Sequence, residues 1–204
     1  MTSKISSSVS QHHIGAEGIS CEEKRGKKRA RDEAFDSLPK ELFNAIKDVY
    51  QPAGMEVTNA YTEEESKDYG ACRLKLDSRE VVFRVAKTTP KKVGQFVTVW
   101  QRPHAGAAYV PFNERDQVDF IAVSVADDKN IGQFVFNRRI LIDQGIMGTS
   151  RTRGKGAFRV YSPWVRPENK TALKTQEWQK KYFFSQKTLD LGLVRNLFKL
   201  ATKV

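Results

Sequence analysis

Leu38, Leu42, Ala45, Ile46 and Val49 recur at three- and four-residue spacing, which predicts a helix with one buried face. Ser37 is placed to cap it, Pro39 suits an early helical position, Glu41 favours the first turn, and Pro52 with Gly54 ends it. Residues 56–70 are acidic and polar and read as a short strand followed by a loop or helical turn. From residue 71 the apolar positions alternate instead. Cys72, Leu74 and Leu76 face one way while Arg73 and Lys75 face the other, and Asp77-Ser78-Arg79 makes a turn. A second strand over 80–87 aligns Val81, Phe83 and Val85, and Gly94–Arg102 forms a third, so that Val82–Trp100 reads as strand, turn, strand. A loop over 103–117 holds Pro103, Gly106 and Pro111. Residues 118–125 are too continuously apolar for a one-sided strand and predict a central strand covered on both faces.

The chain turns at Asp127-Asp128 and returns over 131–136. A short helix over 137–145 ends at Gly145, a loop rich in Gly and Arg spans 148–156, and a strand covers Ala157–Tyr161. Residues 170–184 read as a basic, aromatic helix. A last helix over about 188–202 sets Leu189, Leu193, Leu197 and Leu200 on one stripe. The sum is an α+β protein: a central mixed β-sheet flanked by helices, in one domain over 38–204. Residues 1–37 lack apolar periodicity and read as a disordered tail.

Charge changes this picture once it is located. The net charge is +11, and residues 138–204 alone carry fifteen Lys and Arg against four Asp and Glu, a local balance of +11. A basic, aromatic C-terminal third suits a polyanion such as DNA or RNA as partner. No apolar run reaches the roughly 18 residues of a membrane helix, and the N-terminus lacks the apolar core of a secretory signal. Cys21 and Cys72 have no Cys/His cluster around them at metal spacing, so an intracellular protein without structural zinc is expected. Lys24–Arg31 holds six basic residues in eight positions; this pattern reads either as a nuclear-import signal or as a nonspecific basic arm.

Lys87, Lys91 and Lys92 gather with two threonines at the turn of the 82–100 segment. There, strand-borne cations and hydroxyls can seat phosphate, although lysines at a turn are ordinarily just solvated. Arg84 can join them only if its strand face is exposed, because Val82 and Ala86 share that face. Arg151, Arg153, Lys155 and Arg159 surround Gly154 and Gly156, where backbone N–H groups can also approach an anion; a plain flexible loop is the alternative. Tyr161, Trp164, Trp178 and Tyr182 are candidate stacking residues for bases, with Lys174 and Lys181 beside Trp178, against the ordinary role of such aromatics in packing.

Several blocks resemble the MepB family: Phe83–Trp100, Asp119-Phe120 with Ile131–Phe134, Gly145-Ile146, Gly156–Tyr161 and Thr175–Phe183, in order over roughly residues 40–184. The resemblance implies a restriction-endonuclease-like, PD-(D/E)xK-type fold, in a superfamily that mostly handles nucleic acid. Cleavage in that superfamily needs paired carboxylates for Mg²⁺ and a lysine that positions water and offsets charge. Lys87 is the matching lysine, but Val85 stands two positions before it, where an acid is needed. Asp119, entering the apolar strand, is the first acid that could substitute; Glu65, Asp68, Asp77 and Glu80 are others. No metal ligand set emerges, and no cofactor is expected unless cleavage survives, in which case Mg²⁺ is implied.

The expected function is therefore nucleic-acid binding on a nuclease-like scaffold with degenerate or absent catalysis. The contacts would come from Lys87, Lys91, Lys92, Arg151, Arg153, Lys155, Arg159, Trp178 and Lys181. An active metal-dependent nuclease using Lys87 and Asp119 is one alternative. A nonenzymatic module that docks a partner on the C-terminal leucine stripe is another.

Overall fold

The computed structural model describes residues 37–64, 66–104 and 106–199. Lys24–Arg31, Glu65, Cys21 and Leu200 lie outside those residues. Helix α1 (Lys40–Ala45) has Pro39 at its N-cap, whose φ of −53° already suits a helix and whose ring offers no side-chain cap bond. The helix continues with π-type winding through Ile46–Tyr50. That widened turn carries Tyr50 fully into the core, where its hydroxyl donates to Gln133 Oε1 at 2.6 Å. Gly54, at φ +71°, reverses the chain.

Among the described residues the strands form three sheets. The largest holds β1 (Val57–Thr62), β2 (Cys72–Leu76), β3 (Arg79–Val85), β8 (Phe120–Ala126), β9 (Ile131–Asn137) and β11 (Phe183–Ser185), in the order β1-β2-β3-β8-β9-β11. Asp77 and Ser78, both at positive φ, close the β2–β3 hairpin with the twist that such hairpins favour. β3 and β8 run parallel with Val81 opposite Phe120, and the other pairs are antiparallel, which makes the sheet mixed. A parallel pair needs a long crossover, usually a helix. Here residues 86–119 cross over mainly as β-structure: β4 (Lys87–Thr89), β5 (Lys92–Thr98), β6 (Trp100–Gln101) and β7 (Val110–Pro111). β5 pairs with β4 and with β10 (Ala157–Val160) in a three-stranded sheet, and β6 pairs with β7. The 82–100 segment is thus not one hairpin: β3 stays in the large sheet, while β4 and β5 belong to the small one.

The central strand is covered on both faces, as its composition predicts. Phe120 and Ala122 pack with α1, Leu74 and Phe83; Ile121, Val123 and Val125 pack with Val97, Val99, Phe136 and Val160 from the small-sheet side. Helices α2 (Arg138–Asp143), α3 (Lys170–Gln179) and α4 (Leu191–Leu197) are each capped by a side chain, from Asn137, Asn169 and Asp190 respectively. The expected helix over 170–184 ends at Gln179, because Phe183 and Phe184 extend into an edge strand against β9. The C-terminal helix is also shorter than expected, and its buried face differs. Val194 and Phe198 are buried with Leu189 and Leu197 packed beside them, whereas Leu193 points outward at 39% exposure. Among the described residues no helix is long and apolar enough to cross a membrane.

Candidate nucleic-acid interface

Alternation along β5 divides its side chains between core and surface. Val97 is buried, so Phe96 points to the outer face. The register sets Lys87 and Arg159 directly across from Phe96, on either side. The Lys87 ammonium lies over the Tyr69 ring at 5.1 Å, Tyr69 meets Phe96 edge-on at 6.2 Å, and the Arg159 guanidinium lies over Phe96 at 5.9 Å. Arg159 donates to Gly94 O at 3.0 Å and to Thr89 Oγ1 at 2.6 Å, so it also braces the β4–β5 turn. Lys91 and Lys92 stand exposed at that turn. Gly94 is required there: its φ is +80°, and an added Cβ would sit 2.6 Å from the Tyr161 ring.

The same alternation carries the outer face onward. Thr98 follows Phe96, Val99 turns into the core, and Trp100 turns out. The Trp100 indole rests on Gly156, where any side chain would collide with it. Tyr109, 49% exposed, sits 6.4 Å from Trp100 with the rings tilted by 37°, and Arg102 lies 4.4 Å over its face. Ser66, Lys67, Asp68, Tyr69, Thr98, Trp100 and Tyr109 line a cleft of about 440 Å³, and in it the Thr98 hydroxyl donates to the Ser66 hydroxyl at 3.0 Å. On the other side of Tyr109 a cleft of about 560 Å³ opens toward Tyr61, Glu63, Glu64 and His104.

An ion cluster anchors this surface from below. Glu63 meets Arg73 Nε at 2.8 Å and Arg84 Nη1 at 2.7 Å. Arg84 is fully buried; its Nη1 donates to Phe83 O at 2.8 Å and its Nη2 to Trp100 O at 3.3 Å. The 2.7 Å contact of Arg84 Nη1 with Glu63 Oε2 is a close ion pair, and Arg84 Nε has no partner of its own. Burial presses the Arg84 guanidinium below its ordinary value, and the Glu63 carboxylate opposes that shift. Burial likewise pushes the neighbouring Cys72 thiol up to about 12, with Arg84 opposing. The condition set for Arg84 in the sequence is therefore not met: its face is buried, and it supports the surface from within.

The structure does not bring Lys87 and Asp119 together. Asp119 is level with Glu80: it accepts from Glu80 N at 2.9 Å and donates its own N–H to Glu80 O at 2.9 Å, tying the starts of β3 and β8. Val85, the last residue of β3, lies five residues beyond Glu80, about 17 Å at strand rise, and Lys87 follows it at the start of β4. Asp77 caps Glu56 N and Glu80 pairs with Lys75 at 3.0 Å, so those acids are also engaged away from Lys87. Among the described residues no three His, Cys, Asp or Glu side chains gather where a metal ion could be held.

The remaining predicted contacts divide. Arg151 and Arg153 are exposed on a turn closed by the Thr149–Thr152 backbone bond at 2.8 Å, and Arg153 lines a separate cleft of about 450 Å³. Lys155, Arg159 and Trp178 share a cleft of about 270 Å³ beside β10, where Lys155 Nζ donates to Gln144 O at 3.0 Å. Trp178 packs 5.3 Å from Phe136 and 6.3 Å from Tyr182, Trp164 packs 5.5 Å from Phe183, and Tyr161 lies against Gly94, and all four stay half-buried. Lys181 is exposed just beyond α3. Exposed Tyr61 and Tyr109 and half-buried Tyr69, Phe96 and Trp100 are further surface aromatics, which sequence reasoning missed. The alternation of Phe96 and Trp100 with buried Val97 and Val99 was the available signal.

A family model described as MepB-like matches residues 63–185. A solved structure, titled as the crystal structure of MepB, is similar over 65% of this chain and 89% of its own, with 35% identity and a TM-score of 0.62. No curated protein matches the chain.

Proposed function

The chain belongs to the MepB-like family, and from the geometry of its small sheet we propose that it binds nucleic acid on the outer face of β10-β5-β4 without cleaving it. The observation that carries this reading is the cross-strand row Lys87–Phe96–Arg159, which sets two cations on either side of an aromatic ring on a rigid sheet. Lys91 and Lys92 extend the row at the turn. In this reading the ammonium groups of Lys87, Lys91 and Lys92 take phosphate oxygens as mobile point charges, and Arg159 holds the turn in place. Cleavage is not part of the proposal, since Val85 occupies the acid position, Lys87 rests over Tyr69, and Asp119 closes the far end of the strands. A distant restriction-endonuclease-like ancestry belongs to the same proposal. The mixed central sheet with α1 packed on one face supports it, and the β-rich crossover departs from the helical layer that ancestry implies.

The test is a salt series of binding to a labelled oligonucleotide by the full chain and by the triple variant Lys87→Glu, Lys91→Glu, Lys92→Glu. All three side chains are exposed, so the fold should tolerate the change. Each lost phosphate contact lowers the slope of log affinity against log salt by about 0.7–0.9, so the variant should lose about 2–3 units of slope. Equal affinity and slope in the two proteins would overturn the reading.

A further inference from the structure

We propose that Thr89 is the phosphate acceptor for a protein kinase of the proline-directed class, and that its phosphate, held by Arg159, fills the cationic row; the second half rests on the phosphate-binding reading of that row. Two Ser/Thr-Pro pairs occur in the chain, Thr89-Pro90 and Ser162-Pro163. A proline after the acceptor has no N–H, so an enzyme whose cleft leaves that N–H without a partner selects proline there. Cations beyond the proline add contacts for an acidic enzyme surface. Lys91 and Lys92 follow Pro90, whereas Trp164 and Val165 follow Pro163. Ser162 is closed in at 1% exposure, while Thr89 is half-buried with Thr88, Pro90, Lys91 and Lys92 exposed around it. Thr88 is followed by Thr89 rather than by a proline, and its hydroxyl accepts from Gln95 Nε2 at 3.2 Å.

Thr89 ends β4, the outermost strand in the order β10-β5-β4, and Pro90-Lys91 turns the chain so that Thr89 stands opposite Lys92. A three-residue edge strand opens more readily than the core strands, which lets the segment extend into an enzyme's cleft. In the transfer, Thr89 Oγ1 attacks the γ-phosphorus of a nucleoside triphosphate held by the kinase. The O–P bond forms as the bond to the β,γ-bridging oxygen breaks. The electron pair leaves with the nucleoside diphosphate, and the hydroxyl proton passes to a carboxylate of the kinase. When the strand recloses, the phosphate meets a partner already in place. Arg159 Nη2 donates to Thr89 Oγ1 at 2.6 Å, so its guanidinium is within reach of the phosphoryl oxygens and gives them charge-assisted bonds. Lys87 precedes Thr89 by two residues on the same strand, and Lys92 faces it across the pair. The phosphate brings a charge of about −2 among Lys87, Lys91, Lys92 and Arg159, so it offsets about half of their attraction for an outside phosphate.

Incubation of the full chain with ATP and a purified kinase of the cyclin-dependent class, followed by peptide mass mapping, tests the acceptor site. One phosphoryl group should appear, on Thr89. Thr89→Val and Pro90→Ala should lose it, and Thr88→Val should keep it. Binding to the labelled oligonucleotide across a salt series, with phosphorylated and mock-treated chain, tests the consequence. The phosphorylated chain should bind more weakly, with the slope of log affinity against log salt reduced by about 1.5 units. Thr89→Val should bind alike with and without kinase treatment. No incorporation, or incorporation that persists in Thr89→Val, overturns the acceptor site. Phosphorylation of Thr89 with unchanged binding overturns the consequence, and the phosphate-binding reading still stands in that case if the Lys87/Lys91/Lys92 variant is weakened. If that variant binds like the unmodified chain, or nothing binds at low salt, that reading falls and the consequence with it, while incorporation alone decides the acceptor site.

Discussion

Replacing Glu63 by Gln keeps its shape and removes the countercharge of a guanidinium that has no access to water. Arg84 is 0% exposed and Glu63 11%, so the loss is felt in a medium of low polarity. Breaking such a pair from one side ordinarily costs about 3–5 kcal/mol, because an uncompensated charge stays buried. Two features place this case near the lower end. Arg84 keeps its bonds to the carbonyls of Phe83 and Trp100, and Arg73, the other cation left behind, is 19% exposed and can turn toward solvent. The expected loss is about 3 kcal/mol, read as a lower urea midpoint at unchanged slope, or as a fall in Tm of about 6–12 °C for a domain of this size. The double variant Glu63→Leu, Arg84→Met removes both buried charges and should lose less than Glu63→Gln alone. A loss below about 1 kcal/mol for Glu63→Gln, or a double variant no more stable than the single one, would refute the reading of this cluster as a mutually dependent buried pair.

Two further outcomes follow from the same surroundings. With its pKa pushed up to about 12, the buried Cys72 thiol should resist a thiol reagent at pH 8 in a Cys21→Ser background and react on unfolding in urea; fast labelling of the folded protein would contradict that burial. Gly156→Ala drives a methyl group into the Trp100 indole, so it should shift the intrinsic tryptophan fluorescence of a Trp164→Phe, Trp178→Phe background; an unaltered spectrum would show that the indole does not rest where described.

Periodicity made the framework legible. Helix α1 and strands β2 and β3 show one dominant spacing of apolar residues, β8 shows a continuous apolar run, and these elements and β9 form near their expected places. Period-two alternation reports which face a side chain takes but not which sheet a strand joins, so the departure of β4 and β5 from β3 was invisible. At the C-terminus, Leu189, Leu193 and Leu197 overlap a second helical stripe through Val194 and Phe198, and only packing against Tyr50 and Phe120 selects the second. Arg84 shares a face with Val82 and Ala86, which made its burial conceivable, but its partner Glu63 lies 21 residues earlier in a loop that carries no local signal. Of the candidate surface, the lysines were legible. Tyr69 ends a single 3-10 turn (Lys67–Tyr69) and Tyr109 sits in an irregular segment, so their meeting with Phe96 and Trp100 depends on tertiary structure.

If the chain binds as proposed, the crossover between β3 and β8 keeps the binding face apart from the folding core. Residues 86–119 roof the second core with Val97, Val99, Phe112 and Val118, while their alternate positions carry Phe96 and Trp100 outward. One strand therefore supplies core and surface by parity. Substitutions on the outward set should alter binding at nearly constant stability, and those on the inward set the reverse. The same route explains the position of Lys87. A lysine continuing β3 in the large sheet would share a strand with the residues before it. Here the chain leaves that sheet after Val85 and starts β4 at Lys87, which carries the ammonium onto the small sheet beside Phe96 and Tyr69. With Val85 in place of a carboxylate, Asp119 tied to the opposite end of β3, and the Tyr69 ring beside its ammonium, Lys87 takes the phosphate-holding part in the proposed reading.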